Sequence, residues 1–443
     1  MFENVELRFD RTNLRGAADV LEAVESRLTP SALRWSINRV DEASLRVEAT
    51  LHHGGRWPLR EAPPQPQYTP RSAVLSLIPT GVGCEIGGYA GDAAPVSALL
   101  AACADYLITN PNAVNASAFI QMPRNLVYTE GYWIDAFCRG EVNLSVPTAN
   151  RVGLVIEKAS DDTIQHIFNV VNAVRAVHGI DIEDCIITER ELGSRCRQTP
   201  SGCYVGALDR PEVLLEACSR LVQRGVDAIA VCSQVRDLPP AAYAEHFSGS
   251  HPNPVGGAEA LISHFICRHF GIPAAHAPII NFRDFALHHP VVDARGEGEH
   301  ASHSGLACVL IGLKRAPQCS PHPVRGAVDV LGLSSLRAVV APATCMGGAP
   351  VLHALKQGIP VIAVKANRTI LGVDAQSLGL EGVIEVENYT EAAGILLAMR
   401  EGISIGSLYR PFQTLRPVQD ATQARTQALS ATGLRECAAA NNR

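Results

Sequence analysis

Acid–base groups set on glycine-rich loops are the chemistry this sequence offers. Glu85 lies in PTGVGCEIGGYAGD (79–92), where it and Asp92 are the only charges between Arg71 and Asp105. A carboxylate in so uncharged a loop requires a donor, a cation or a substrate to offset its desolvation. His251 opens a second loop, HPNPVGGAE (251–259), and His276 falls in the short apolar run PAAHA. Imidazole titrates near neutrality, so Glu85, His251 and His276 are the candidate general acids and bases. Cys84 in the first loop and Cys345 in a third, PATCMGGAP (342–350), are candidate proton-transfer thiols, which a helix N-terminus activates by lowering the thiol pKa. The chain has 13 cysteines, so thiols at strand ends also arise without a function.

The three loops share one form: proline, a glycine pair, then a helix start. Glycine lets backbone approach a ligand closely, and the N–H groups of a first helical turn favour an anion. Thr80, Gly81, Gly83, Gly87 and Gly88 in the first loop are therefore candidate binders of carboxylate or phosphate. So are Gly256 and Gly257 in the second, and Thr344, Gly347 and Gly348 in the third. Asn110, Asn112 and Asn115 follow one expected strand, and Lys365 and Asn367 another, where amides and an ammonium group could orient a substrate. The competing structural roles are turns, Asx motifs and tight helix–sheet packing. The first loop lacks the Lys-Ser/Thr of a P-loop and is not GxGxxG in register. Eight histidines crowd residues 251–303, among them His264 and His269, five apart on an expected helix and so on different faces. Glu299, His300 and His303 stand one helical turn apart, but no HExxH motif accompanies them. Metal and cofactor requirements stay open.

The elements that must position these residues read as a βα alternation. Ala73 to Ile78 is an apolar run that breaks at Pro79; Asp92 is placed to cap a helix over 95–104, and Tyr106 to Thr109 forms the next strand. The rhythm continues with strands near 152–156, 185–188, 227–232, 273–277, 336–341, 360–364 and 383–386. Helices are expected near 161–178, 211–223, 257–270, 300–315, 349–357 and 390–400. Such alternation predicts an α/β, Rossmann-like fold of mostly parallel sheets, in two lobes. Before it, a helix over 17–28 and a hairpin over 33–51 predict a small α+β subdomain, 1–60, ended by the proline-rich stretch EAPPQPQYTP. The expected layout is then an α/β domain at 72–318, a C-terminal Rossmann-like unit at 319–415 and a tail at 416–443.

Composition narrows the function classes. A hydrophobic share of 47% and a charged share of 19% fit a globular protein. A net charge of −6 without a basic run, and 5% aromatic residues, argue against nucleic acid as the partner. The first sixteen residues lack an apolar core and no run approaches ~20 apolar residues, so neither a signal peptide nor a membrane span is expected. Scattered cysteines without CxxC pairs then suggest reduced thiols and a cytoplasmic setting. A small-molecule substrate is the expected partner, and a homo-oligomer is compatible with the sequence.

Two resemblances add to this. GGAPVLHALKQGIPVIAVKAN, within 342–367, resembles the nucleotide-sugar-binding half of glycosyltransferase-B enzymes and related epimerases, where an acid on the helix reaches the ribose; here His353 holds that position. PTGVGCEIGGYAGDA, LITNPNAVNAS and HPNPVGGAEALISH resemble a family of hypothetical proteins, a domain of unknown function covering most of the chain after the linker. That resemblance implies a shared architecture and no activity. Three functions fit: an enzyme of acid–base proton transfer on a small anionic metabolite (isomerase, lyase or hydrolase), a nucleotide- or nucleotide-sugar-dependent transferase, or a non-catalytic metabolite-binding protein.

Overall fold

Alternating apolar residues build the first layer. The computed structural model describes residues 2–12, 14–28, 31–55, 71–79, 81–110, 122–236, 238, 240–279, 291–301, 305–412 and 414–416. β1 (Phe2–Asp10), β2 (Ala32–Val40) and β3 (Ser44–His52) pair antiparallel in the order β1-β3-β2. Leu33, Trp35 and Ile37 of β2 and Leu45, Val47 and Ala49 of β3 are buried at every second position, the period a half-buried strand requires. α1 (Gly16–Leu28) buries Val20, Leu21, Val24 and Leu28 on one stripe. This is the small α+β subdomain expected from the sequence.

Parallel pairing begins after it. The strands are, in chain order, β4 (Ala73–Ser76), β5 (Tyr106–Thr109), β6 (Leu126–Tyr128), β7 (Asn143–Val146), β8 (Val152–Ile156), β9 (Cys185–Ile187) and β10 (Ser194–Gln198). They continue with β11 (Tyr204–Leu208), β12 (Ala228–Ser233), β13 (Val235–Arg236), β14 (Ala274–Pro278), β15 (Gln318–Ser320), β16 (Asp329–Leu331), β17 (Leu336–Pro342), β18 (Val361–Val364) and β19 (Val383–Val386). One sheet has six parallel strands in the order β19-β18-β17-β4-β5-β6, and a second has four, β14-β12-β8-β9. Except for the edge strands β9 and β19, their strands are buried along almost their whole length, as parallel strands covered on both faces must be. The fold is therefore α/β and Rossmann-like, with two parallel sheets.

Local signals place most helices. α4 (Asp161–His178) starts at Ser160, whose hydroxyl accepts from the Thr163 amide, and stops at Gly179 with φ 59°. α5 (Pro211–Gln223) takes its proline in the first turn. α7 (Gly256–Phe270) ends at Gly271 with φ 73°. Three readings differ. α2 (Ala94–Ala101) is capped by Ala93 without a side-chain bond, so Asp92 does not cap it. Of the helix expected over 300–315, the described residues form Glu297–Ala301 and Gly305–Leu313, and 302–304 lie outside them. The division at 318 does not separate two sheets, because β17 pairs with β4 and draws both sides of that position into one sheet. A single core cluster runs from Phe9 to Leu378, and residues 1–393 form one compact unit. The second unit, 394–443, has described residues only to 416, so the expected tail lies almost wholly outside them.

Tight approach fixes where α7 starts. A Cβ on Gly257 would come within 2.7 Å of the Tyr204 and Val205 backbone, and one on Gly206 within 2.4 Å of the Gly257 carbonyl. We expect Gly257→Ala to destabilise the protein by roughly 1–3 kcal/mol through overpacking, read as a lower urea midpoint at unchanged slope.

Candidate functional site

The chain order of the six-stranded sheet reverses between β4 and β17. From β4 it runs outward through β5 and β6; on returning, it starts beside β4 at β17 and runs the other way. Loops leaving two such strands diverge and open a crevice at their carboxyl ends, the usual ligand position in open α/β sheets. A cavity of about 220 Å³ lies there. Leu77, Ile78 and Pro79 after β4, and Cys345 to Val351 after β17, form two of its walls. Glu130, Gly131, Ile134 and Asp135, at the start of α3 (Gly131–Cys138) after β6, form a third. Glu259, Ser263 and His264 of α7 and His276 of β14 close it from the second sheet, and Arg34 to Ile37 of β2 cross above it. The Ile37 amide donates to the Gly347 carbonyl at 3.0 Å. A Cβ on Gly347 would stand 2.6 Å from the Ile37 carbonyl, so only glycine lets the N-terminal sheet approach this loop.

A carboxylate–imidazole pair dominates the cavity's chemistry. Glu130, 4% exposed, uses one oxygen to accept from the Tyr132 amide at 2.7 Å and the other to meet His264 Nδ1 in a very short contact. This holds the Nδ1 proton toward the carboxylate and leaves Nε2, which has no partner among the described residues, for a ligand. Asp135 makes no side-chain hydrogen bond or ion pair to a described residue; burial pushes its carboxyl up to about 6, against the pull of Arg139 and His264. His276 is buried and meets Ser233 Oγ through Nε2 at 2.8 Å, and burial lowers its pKa to about 3. Arg34 is half-buried, lines the cavity and has no hydrogen bond or ion pair to a described residue. Among the described residues it is also the only Lys or Arg side chain lining it. Gly348, the N-cap of helix Ala349–Lys356, offers that helix no side-chain acceptor, which leaves the positive end of its dipole facing the same space.

Of the residues singled out from sequence, His276, Cys345, Gly347, Gly348 and Asn110 line the cavity. Glu85 does not; it is half-exposed and pairs with Arg295 at 3.2 Å and Arg368 at 3.7 Å. His251 meets the Tyr204 hydroxyl at 2.8 Å and stands 3.6 Å from Glu245, also away from the cavity. Burial pushes the Cys345 thiol up to about 12 and the Cys84 thiol well above its usual range, so both stay protonated near neutral pH and neither is an activated nucleophile. Asn110 and Asn367 act as clamps: Asn110 binds both the amide and the carbonyl of Ile78, and Asn367, fully buried, does the same for Ile86. Gly81, Gly83 and Gly87 have positive φ and serve the turns of this loop with Gly88. Gly256 and Gly257 start α7 against β11, and Thr344 meets the Thr369 hydroxyl at 2.8 Å. Lys365 pairs with Glu387 at the surface. Thr80, Asn112, Asn115, His288, His289 and His303 lie outside the described residues. Glu299 accepts from the Ala90 amide at 3.1 Å, and no group of three or more His, Cys, Asp or Glu among the described residues is placed to hold a metal ion.

Sequence reasoning left Arg34, Glu130, Asp135 and Glu259 unmarked, and treated His264 as one histidine among eight. Glu130 did carry a signal: it follows the apolar run LVYT and precedes an apolar helix, the same strand-end position used to mark Glu85. Arg34 carried none, because its strand belongs to another layer. His353, at the position of a ribose-binding acid in the resemblance above, pairs instead with Glu25 of α1 at 3.0 Å and joins two helices.

The fold and its switch-point cavity define an α/β protein built on two parallel sheets. The chain belongs to the family described as protein of unknown function DUF3326, which matches residues 72–409. It is 38% identical over 343 residues to a protein of Synechococcus sp. described as an uncharacterized lipoprotein, covering 75% of this chain and 92% of that one. No solved structure matches the chain. Among the described residues no helix is long and apolar enough to cross a membrane.

The buried His276 makes stability depend on pH. In the unfolded chain its imidazole takes a proton below about pH 6.5, whereas the folded one stays neutral down to about 3. Its contribution is complete above 6.5 and is lost as pH falls toward 3. We expect His276→Gln to lose stability more slowly than the wild type between pH 7 and 4, measured by urea unfolding across that range.

Proposed function

We propose that the chain is an enzyme that moves a proton on a small anionic metabolite, with His264, held by Glu130, as the acid–base group and Arg34 as the anion's partner. The observation that carries this reading is one cavity combining a carboxylate-oriented imidazole with a guanidinium that has no hydrogen bond or ion pair to a described residue. A half-buried Arg34 without a described partner, beside the Gly348 helix start, favours a carboxylate or phosphate ligand. A volume of about 220 Å³ falls below the 300–1,000 Å³ usual for drug-sized ligands and supports a small metabolite over a nucleotide sugar. The twelve cysteines among the described residues are all free, which supports a reducing, cytoplasmic setting, although the Synechococcus relative is described as a lipoprotein.

Two measurements test this. Small carboxylates and phosphates screened by thermal shift should include members that raise the melting temperature of the wild type, and Arg34→Ala should abolish the shift. In D2O the stabilising compounds should gain deuterium with wild type, and His264→Asn should slow that exchange by about 10²–10⁴-fold with the thermal shift retained. Binding without exchange for every compound would identify a binding protein and remove the catalytic reading.

A further inference from the structure

We infer that Asp135 is the second catalytic residue of this cavity and that the substrate class is a small 2-oxo acid with an apolar side chain, which the enzyme converts between keto and enol forms. The inference rests on the proton-transfer reading above and names its missing partner.

Most polar groups on the cavity wall are already engaged within the protein. Asn110 holds Ile78, the Ser263 hydroxyl donates to the Glu259 carbonyl at 2.8 Å, and His276 meets Ser233. Glu259 has a partner of its own. What remains for a ligand is Arg34, His264 with Glu130 behind it, Asp135 and the Nδ1 of His276, which has no partner among the described residues. The rest of the lining, with Trp35, Ile37, Ile78, Val351 and Leu371, is apolar. Such a wall suits a ligand with one anionic end, one further oxygen and a hydrocarbon remainder. Sugar phosphates and dicarboxylates would leave several polar groups there without partners.

The limited charge also selects the chemistry. Removing a proton next to a bare carboxylate builds a dianion, which calls for a second cation, and Arg34 is the only Lys or Arg on the wall among the described residues. A carbonyl beside the carboxylate offers another sink, whose oxygen needs only an acid. Asp135 is that acid. Its carboxyl faces Arg139 from its own helix, Glu130 from the helix cap, His264 from α7 and His353 from helix Ala349–Lys356. Burial raises its pKa to about 6, so it carries the proton at and below that pH, while His264 Nε2 is available as base.

In the forward step the substrate carboxylate rests on Arg34. His264 Nε2 takes a proton from C3, and the C–H electron pair becomes the C2=C3 bond. The π pair of the C2 carbonyl moves to its oxygen, which takes the Asp135 proton. The products are the enol, an imidazolium on Glu130 and an Asp135 carboxylate; reversal returns every atom, and no oxidant or co-reactant enters. Two oriented proton-transfer groups on opposite ends of one conjugated unit are what enolisation requires.

Phenylpyruvate and 4-methyl-2-oxopentanoate are the probes, with C3 deuteration in D2O followed by proton NMR and the phenylpyruvate enol by its absorbance. We expect the wild type to accelerate both, Asp135→Asn to lose about 10²–10⁴-fold of that rate while still showing the thermal shift with either acid, and Asp135→Glu to recover part of it. Equal rates for wild type and Asp135→Asn would overturn the role of Asp135. Exchange on sugar phosphates but not on these two acids would overturn the substrate class and leave the proton-transfer reading standing. Exchange on no compound at all would remove both.

Discussion

The parallel pairing of β4 with β17 is the constraint on which the rest depends. It sets residues 73–76 beside residues 336–340, so strands from the two ends of the α/β region must meet before either loop has a neighbour. Closing so long a loop costs only slightly more than closing a short one, because the entropy grows with the logarithm of length. The burial of both strands offsets it: Ala73, Leu75, Ala338, Val339 and Val340 are all fully enclosed. Once the pair forms, β5–β6 and β18–β19 extend the sheet in opposite directions, and the crevice between their loops follows from connectivity alone.

What fills that crevice comes from three layers. The six-stranded sheet supplies Glu130 and Asp135 through α3, the second sheet supplies His264 through α7 and His276 through β14, and the N-terminal sheet supplies Arg34. Asn4 of β1 donates to the Gly206 carbonyl at 2.8 Å and Ile37 of β2 to Gly347, so the small sheet is fastened to β11 and to the loop after β17. Buried ion pairs seldom add net stability, since desolvating two charges costs about as much as their attraction returns. The Glu130–His264 pair is therefore better explained by what it does to the imidazole than by stability.

Much of the fold was legible in the sequence. Strand-length apolar runs separated by capped helices predicted parallel sheets, and Ser160, Gly179, Pro211 and Gly271 sit at the helix boundaries their types imply. The site was legible only in part. The three proline–glycine loops were visible, and each borders the cavity: the first through Pro79 and Val82, the second through Glu259, the third through Gly347 and Gly348. Glu85 stood out because its loop lacks other charges, yet Arg295 and Arg368, both distant in sequence, neutralise it at the surface. Asp92 looked like a helix cap, but Ala93 occupies the N-cap and no side chain bonds the first-turn amides.

Periodicity, caps and turn residues act over a few positions, and for that reason the sequence by itself determined the class of fold, the order of elements and the loops at strand ends. Which loops converge was decided by tertiary structure, because β4 finds β17 only through pairing across the chain. The partners of each charge were decided there too. Glu130 meets His264, 134 positions away, and Arg34 reaches the cavity from a separate sheet. Nothing local to either residue encodes that meeting, since electrostatic and packing energies depend on distance in space and not along the chain.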